Sequence, residues 1–156
     1  MSDLKNLLIE LEQQEQELQF NEFTSENAFD IGMRIVNKAR ERKLAITTDI
    51  TRNGHQLFHF AFDGTGPDND QWIIRKNRVV NRFNKSSFRM GTELRESGST
   101  MEEALLVSSL EYAAHGGAFP IIIKHVGVIG TITVSGLAQQ DDHALVVEVI
   151  REYLGL

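Results

Sequence analysis

The C-terminal part of the chain carries the pattern that most restricts its fold. Two runs rich in β-forming residues, 119–124 and 128–134, stand on either side of a glycine-containing turn. This arrangement predicts an antiparallel hairpin. The apolar residues of 140–154 then recur at helical spacing, and Asp141 and Asp142 stand in the first turn, where the helix dipole favours carboxylates. We therefore expect a hairpin followed by a helix that packs on it.

The preceding residues predict further helices and a second hairpin. Helical spacing of apolar residues predicts helices over three segments, 2–20, 24–42 and 70–84. Residues 44–51 and 56–62 are rich in β-formers and flank Asn53-Gly54, a strong turn signal. Helices and strands thus alternate along the chain, which indicates a mixed α/β (α+β) domain.

With a two-residue loop, the second hairpin would carry apolar groups on both of its faces. Phe58, Phe60 and Phe62 share one face in that register, and Asp49 lies on the same face. A sheet with two apolar faces needs helices above and below it. A short buried helix is also expected around residues 104–110, which are mainly apolar.

Composition limits the classes of partner and the kind of site. The chain has 156 residues, 41% of them hydrophobic, which suits one domain with its own core. It has no cysteine, so a disulfide framework and a thiolate metal site are excluded. The formal net charge of −6 argues against binding to nucleic acid or anionic membranes. Without a secretory signal pattern or a bilayer-long apolar run, we expect a cytoplasmic protein with no membrane partner.

The N-terminal helix has a narrow leucine stripe and a polar remainder. Five leucines between positions 4 and 18 fall on one face, and glutamates and glutamines surround them. Two interpretations stay open: the helix lies on its own domain, or it pairs with another subunit. Because so polar a helix has little apolar surface to hold it on one fold, we favour the second. The expected division is an oligomerisation arm, 1–23, and a domain, 24–156.

Basic residues cluster in one segment of an acidic protein. If its helix extends far enough, one face carries Arg75, Arg78, Arg82, Lys85 and Arg89, with Lys76 beside them. The cluster is either a solvated or paired surface, or an anion site in which arginine contacts a carboxylate or phosphate at two points. The sequence leaves both interpretations open.

Glycine-containing segments stand at the ends of the two C-terminal strands. Gly116-Gly117 precede the first strand and Ser135-Gly136 follow the second, where free backbone N–H groups are able to meet a ligand. His143 lies in the first turn of the last helix. It is either a half-buried structural residue or a ligand or acid–base group directed at the glycine segments.

The sequence lacks the common catalytic patterns. No histidine pair has the spacing of a helical metal motif, and no serine stands in a nucleophile-elbow pattern. No phosphate loop or dinucleotide fingerprint is present. We therefore expect no metal site, and we rank an enzymatic activity below binding.

Three stretches together resemble a known family. They are GGAFPI at 116–121, GTITVSGL at 130–137 and QQDDH at 139–143. They are similar to the haem-degrading-domain family (GlcG/HbpS-like), and WIIRK at 72–76 is similar to its cytosolic branch. The resemblance covers roughly residues 24–154. The matched positions are Gly116, Gly117, Pro120, Ser135, Gly136, Asp142 and His143.

The resemblance implies a fold and a class of ligand. The implied fold is a profilin-like domain, with a mainly antiparallel sheet of about five strands and helices on both faces, assembled into homo-oligomers. For some members it implies binding of haem or related tetrapyrroles. The N-terminal helix and the basic helix depart from the simpler haem-binding members, and no axial haem ligand is matched.

Three hypotheses follow. The first is an oligomeric domain that binds a small anionic ligand, with haem as one candidate; its site residues are Arg75, Lys76, Arg82, Gly116, Gly117, Ser135, Gly136 and His143. The second is a scaffold whose basic helix and N-terminal helix are assembly surfaces. The third is an enzyme acting on a tetrapyrrole or a small acid, with His143 or His115 as the acid–base group.

Overall fold

One antiparallel sheet divides the molecule into two layers of helices. A computed structural model describes residues 2–156. Within them, the elements are α1 (Asp3–Glu17), α2 (Ser25–Arg42), β1 (Thr47–Arg52), β2 (His55–Ala61), α3 (Pro67–Phe83), α4 (Ser87–Ser97), α5 (Met101–Leu105), β3 (Ala118–Ile123), β4 (Gly127–Ser135) and α6 (Gln139–Leu154). The sheet order is β2-β1-β4-β3, and all neighbouring strands are antiparallel. The predicted α/β fold is confirmed, with four strands in place of about five. None of the helices described is long and apolar enough to cross a bilayer.

The face of the sheet toward α2 and α6 is apolar and holds the main core. Ile50 of β1 stands opposite Ile132 of β4, which in turn stands opposite Phe119 of β3. All three side chains are fully buried, and apolar residues of α2 and α6 cover them. Because each such side chain stabilises the fold by about 1.5–3 kcal/mol when it leaves water, this layer is the main source of stability.

The opposite face, toward α3, is lined with short polar side chains. Thr131, Thr133 and Ser135 alternate with apolar residues along β4, and all three are buried. α3 meets them with amides: Asn77 Oδ1 accepts a hydrogen bond from Thr133 Oγ1 at 2.5 Å, and Asn69 Nδ2 donates to Ser135 Oγ at 3.3 Å. Thr47, Asp49 and Thr51 of β1 stand opposite these three residues and continue the polar face, so the expectation that the first hairpin is apolar on both faces is wrong.

A β-bulge explains why the first hairpin differs from its predicted register. The pairing of β1 with β2 shifts between Ile50 and Thr51, so that Phe58 stands opposite Ile50 on the side of the main core. Asp49 faces the α3 layer instead, and its Oδ2 lies 3.0 Å from His59 Nδ1. The prediction that Asp49 shares a face with the phenylalanines is wrong, because one extra residue reverses the faces of the side chains beyond it.

The basic segment is divided between two helices. α3 ends at Phe83, and Asn84 adopts a left-handed conformation (φ 58°) that stops it. Lys85 and Arg89 therefore belong to the following turn and to α4, a helix that the sequence analysis did not predict. Ser86 caps α4, because its Oγ accepts a hydrogen bond from Arg89 N. The single basic face, which required one continuous helix, does not form.

The expected buried helix at 104–110 is also wrong. α5 stops at Leu105, because Leu106 adopts a left-handed conformation with φ 57°. Leu106 and Leu110 are 84% and 85% exposed, whereas Val107 is buried. Leu106 and Leu110 therefore face solvent, in a connection that leads toward His115.

α1 packs along α4 of the same chain. Leu11 and Leu18 are buried. Glu15 is also buried; its Oε2 accepts a hydrogen bond from Ser86 N at 3.2 Å and its Oε1 accepts one from Arg89 Nη1 at 3.0 Å. This carboxylate fixes α1 to the first turn of α4. The helix therefore lies on its own domain, which is the first of the two interpretations of the sequence. A further function of residues 1–23 as an oligomerisation arm stays a prediction. Met1, the first residue of that arm, lies outside the described residues.

Candidate functional site

A cleft of about 270 Å³ opens at the end of β4, where α3 approaches the first turn of α6. Its walls include Asn69, Trp72, Lys76, His115, Ser135 and Asp142. An ammonium, a carboxylate, an amide, a hydroxyl and two aromatic rings therefore meet in one concavity. Polar groups that converge beside aromatic walls are typical of small-molecule sites.

Lys76 and Asp142 form a buried ion pair on the floor of this cleft. Lys76 Nζ lies 3.3 Å from Asp142 Oδ2 and 3.3 Å from the carbonyl oxygen of Val134. The two residues are only 3% and 2% exposed. Since α3 and α6 cover opposite faces of the sheet, this pair links the two helical layers around the end of β4.

A glycine makes room for the ammonium. Gly117 has φ 140°, a conformation that residues with side chains rarely adopt. A Cβ at this position would stand 2.7 Å from Lys76 Nζ and would collide with the Val134 carbonyl oxygen. Gly117 thus allows the chain to enter β3 directly over the head of the lysine.

Asp142 is held by backbone donors as well as by Lys76. Its Oδ1 accepts a hydrogen bond from Leu137 N at 2.9 Å, and Gly136 N also contributes. Burial raises the pKa of Asp142 from 3.8 to about 6, against the opposing effect of the Lys76 charge and the hydrogen bonds. The carboxyl is therefore able to change its protonation state near neutral pH.

Lys76 has hydrogen-bonding capacity to spare. Burial lowers the pKa of Lys76, while the Asp142 carboxylate raises it. An ammonium carries three donors, and Lys76 Nζ has two acceptors among residues 2–156. One N–H therefore has no acceptor among these residues.

Aromatic residues and one arginine form the rim. The rings of Trp72 and His115 meet edge to face at 5.6 Å, and the guanidinium of Arg75 lies 4.3 Å from the centre of the Trp72 ring. Burial lowers the pKa of His115, and the charges of Lys76, Arg95 and Arg75 lower it further. A neutral imidazole and a cation over an indole therefore border the opening.

The structure brings together some of the predicted site residues. Lys76, Ser135 and Gly136 line the cleft; Arg75 does not line it, but its guanidinium stacks on Trp72, which does. Gly116 and Gly117 lie behind the wall; Gly116 N donates to Gln139 Oε1 at 3.0 Å. Arg82 lies about two turns further along α3, where its Nη1 donates to the Tyr112 hydroxyl at 3.2 Å, and it does not line the cleft.

His143 lies apart from the cleft, on the side of α6 that faces α1 and α4. Its Nε2 lies 2.7 Å from Gln14 Oε1, and its ring packs 5.0 Å from the centre of the Phe88 ring. Burial lowers the pKa of His143 to about 4, so the imidazole is neutral at physiological pH. It borders a separate, more apolar groove of about 520 Å³ that includes Leu7 and Leu11.

Sequence reasoning missed several cleft residues. Asn69 and Gln139 gave no signal, because isolated amides in a loop or a first turn usually cap helices. Asp142 was interpreted as a favourable charge at a helix start, which the structure also supports. One usable signal was Lys76 itself, whose spacing from Ile73 and Val80 places it on the buried side of α3.

A family model described as haem degrading protein HbpS-like matches residues 23–151. The chain belongs to the HbpS-like family. This confirms the family resemblance seen in the sequence. A UPF0303 protein of Streptomyces coelicolor is 48% identical to the chain over 146 residues, which are 94% of this chain and 92% of the relative.

Solved structures share the fold of this HbpS-like chain. The crystal structure of Ybr137w protein has a TM-score of 0.88 and 37% identity, and the match covers 95% of this chain and 87% of that one. The crystal structure of a PduOC:heme complex has a TM-score of 0.67 at 12% identity, covering 82% of this chain and 92% of that one. The second likeness concerns the fold alone.

The residues of this chain do not fit an enclosed haem. The cleft of about 270 Å³ lies below the roughly 300–1,000 Å³ of pockets that enclose drug-sized ligands. In the larger groove an iron ligand would have to come from His143. Its Nε2 is engaged by Gln14, and its Nδ1 is buried without a partner among residues 2–156. Gln14 Oε1 accepts from Nε2–H, so the lone pair of the neutral ring lies on Nδ1, which is buried and not exposed to the groove.

Replacing Lys76 with methionine tests the buried pair. The substitution leaves the Asp142 carboxylate without its cation, and we expect the free energy of unfolding to fall by about 3–5 kcal/mol at about pH 8. Burial raises the pKa of Asp142 from 3.8 to about 6 in the folded state. The protonated Asp142 therefore contributes its full stability below about pH 3.8, and this contribution is lost as pH rises through about 6. Without Lys76 the stability lost on ionising Asp142 is larger. The difference in free energy of unfolding between the wild type and Lys76→Met should therefore shrink toward about pH 5. Urea unfolding at both pH values measures it.

Lys85→Met is the matched control for this measurement. Lys85 pairs with Glu93 at 3.0 Å in a partly exposed position, where removing one partner costs about 0–1 kcal/mol. Equal losses in the two variants, or a loss in Lys76→Met that does not change with pH, would contradict the buried ion pair.

Proposed function

We propose that this protein is a cytoplasmic, homo-oligomeric domain that binds a small organic anion in the cleft at the end of β4. The observation that carries the proposal is the buried ammonium of Lys76, which keeps one donor unused at the floor of that cleft. A cation fixed in a partly desolvated cavity attracts an anion more strongly than a surface lysine does.

The other groups of the cleft suit a carboxylate. Ser135 Oγ already accepts from Asn69 Nδ2, so its own O–H is available as a donor. Arg75 adds a positive charge at the rim, where it stacks on Trp72. The volume of about 270 Å³ favours a ligand of few non-hydrogen atoms over a cofactor-sized one.

Asp142 makes anion binding dependent on protons. As a carboxylate it repels an incoming anion and occupies one face of the Lys76 ammonium. As a neutral acid, Asp142 neither repels the anion nor competes for the Lys76 ammonium. Its pKa of about 6 sets the pH at which the change occurs. Affinity for an anion should therefore rise as pH falls through that value, provided that the ligand itself stays ionised.

Lactate is a suitable probe, because it is a small carboxylate that remains ionised above about pH 5. We expect lactate to bind at least about tenfold more weakly to Lys76→Met and severalfold more tightly to Asp142→Asn, because the amide removes the competing negative charge. The wild-type affinity should fall from about pH 5.5 to about pH 8, and that of Asp142→Asn should change little. Calorimetric titration, or NMR shift titration if binding is weak, measures these affinities.

Arg82→Ala is the control for this titration, because Arg82 lies outside the cleft and should leave the affinity unchanged. Equal weakening by Arg82→Ala and Lys76→Met would place the anion on the basic surface of α3 and contradict the proposal. Failure of lactate and related small carboxylates to bind, with an assembly that is lost when residues 1–20 are removed, would favour a scaffold function.

Haem is the second candidate ligand, supported by the family description and by the PduOC:heme complex, which shares the fold. With His143 arranged in this way, we expect haemin at one equivalent to give no shifted Soret band, because Nε2 is bonded to Gln14 and the lone pair on Nδ1 is buried. Absorption titration of the wild type and of His143→Ala measures this. A shifted band in the wild type that disappears in His143→Ala would show that Gln14 gives way to haem, and it would make haem the ligand.

A further inference from the structure

Lys76 differs from every other lysine of the chain. Of the six lysines at positions 5, 38, 43, 76, 85 and 124, only Lys76 is buried. Its head lies at a cleft rather than inside a closed core. Lysines desolvated in this way keep a larger fraction of the neutral amine, which is the nucleophilic form.

An acid–base group stands beside the amine. Asp142 Oδ2 is 3.3 Å from Lys76 Nζ, and its Oδ1 is fixed by Leu137 N at 2.9 Å. The carboxyl group is thus held in a position to give a proton to, or take one from, atoms attached to Nζ. Its pKa of about 6 lets it populate both forms near neutral pH.

The lysine has few competing bonds. Its two hydrogen bonds, to Asp142 and to the Val134 carbonyl oxygen, are both 3.3 Å long. These are longer than the roughly 2.7–2.9 Å of strong charge-assisted bonds. Gly117 packs against one side of Nζ, and Lys76 lines the cleft on another. A carbonyl group of a ligand is therefore able to approach the amine without displacing a tight partner.

We propose that Lys76 captures the carbonyl carbon of a small oxo acid as an imine, with Asp142 as the proton donor and acceptor. This rests on the proposed function, because the cleft that holds the ligand carboxylate also presents its carbonyl to Nζ. The hydroxyl of Ser135 and the guanidinium of Arg75 remain for the carboxylate when Nζ is engaged.

The step balances without any further reactant. The neutral amine of Lys76 adds to the carbonyl carbon, and the carbonyl oxygen takes a proton from Asp142 to become a hydroxyl. The Asp142 carboxylate accepts a proton from the new C–N nitrogen and returns it to the hydroxyl, which leaves as water. The product is a protonated imine between Nζ and the ligand carbon, and its positive charge lies beside the Asp142 carboxylate, as that of the ammonium did.

Reductive trapping with pyruvate tests this on the full-length protein. Pyruvate and cyanoborohydride, which reduces an imine to a stable secondary amine, are added at about pH 7, and the modified lysines are located by peptide mass mapping. We expect Lys76 to be labelled at least about tenfold faster than the exposed lysines, although it is the least accessible of them. Excess lactate should protect it, because lactate occupies the cleft but has no carbonyl to trap.

Asp142→Asn separates proton transfer from simple binding. It should slow labelling at Lys76 severalfold while lactate binds at least as well as to the wild type. Lys85→Arg should leave labelling at Lys76 unchanged. The wild-type map requires no variant, so it does not depend on whether a substituted chain folds.

The outcomes distinguish the two proposals. If lactate binds in the cleft but pyruvate labels lysines in order of their exposure, the imine is ruled out and the anion site stands. If Lys76 is labelled fast but neither lactate nor Asp142→Asn changes the rate, Asp142 and the cleft have no part in the reaction and the inference fails. If neither ligand binds and Lys76 is not labelled, both proposals fail.

Discussion

The ion pair between Lys76 and Asp142 is the contact on which the arrangement of the site depends. α3 and α6 cover opposite faces of the sheet, and this pair joins the two helices beside the end of β4. A buried charge pair there costs desolvation that apolar packing would avoid, and replacing such pairs by apolar residues is often neutral or stabilising. A pair of this kind at the floor of a cleft is therefore better explained by ligand chemistry than by stability alone.

The polar face of the sheet prepares this position. Thr131, Thr133 and Ser135 form a row of short buried polar side chains beneath α3 that leads to the cleft. Asn77 and Asn69 of α3 bond to two of them and fix the helix along the row. The apolar face of the sheet instead packs against α2 and α6, and burial of apolar surface and dispersion contacts stabilise this layer. One sheet thus separates a layer that stabilises the fold from a layer that presents polar groups.

Much of this was predictable from the sequence, and the failures have local causes. The C-terminal hairpin and α6 followed from periodicity and glycine placement, and the family from short motifs in the same region. A strict two-residue alternation does not reveal the extra residue at the β-bulge near Ile50. The predicted face of Asp49 was therefore wrong. The left-handed residues Asn84 and Leu106 ended helices that propensity alone would extend. Lys76 was named among the candidate site residues and lines the cleft, but its partner Asp142 became evident only from the contact between α3 and α6.

The most direct test of the central claim is the side-chain nitrogen resonance of Lys76, assigned by comparison with Lys76→Arg and followed by NMR through a pH titration with and without lactate. Because burial lowers the pKa of Lys76, its ammonium should lose its proton at lower pH than those of the exposed lysines, and its resonance should move when lactate is added. A Lys76 resonance that titrates together with the exposed lysines and ignores lactate would contradict a buried, ligand-facing ammonium at the end of β4.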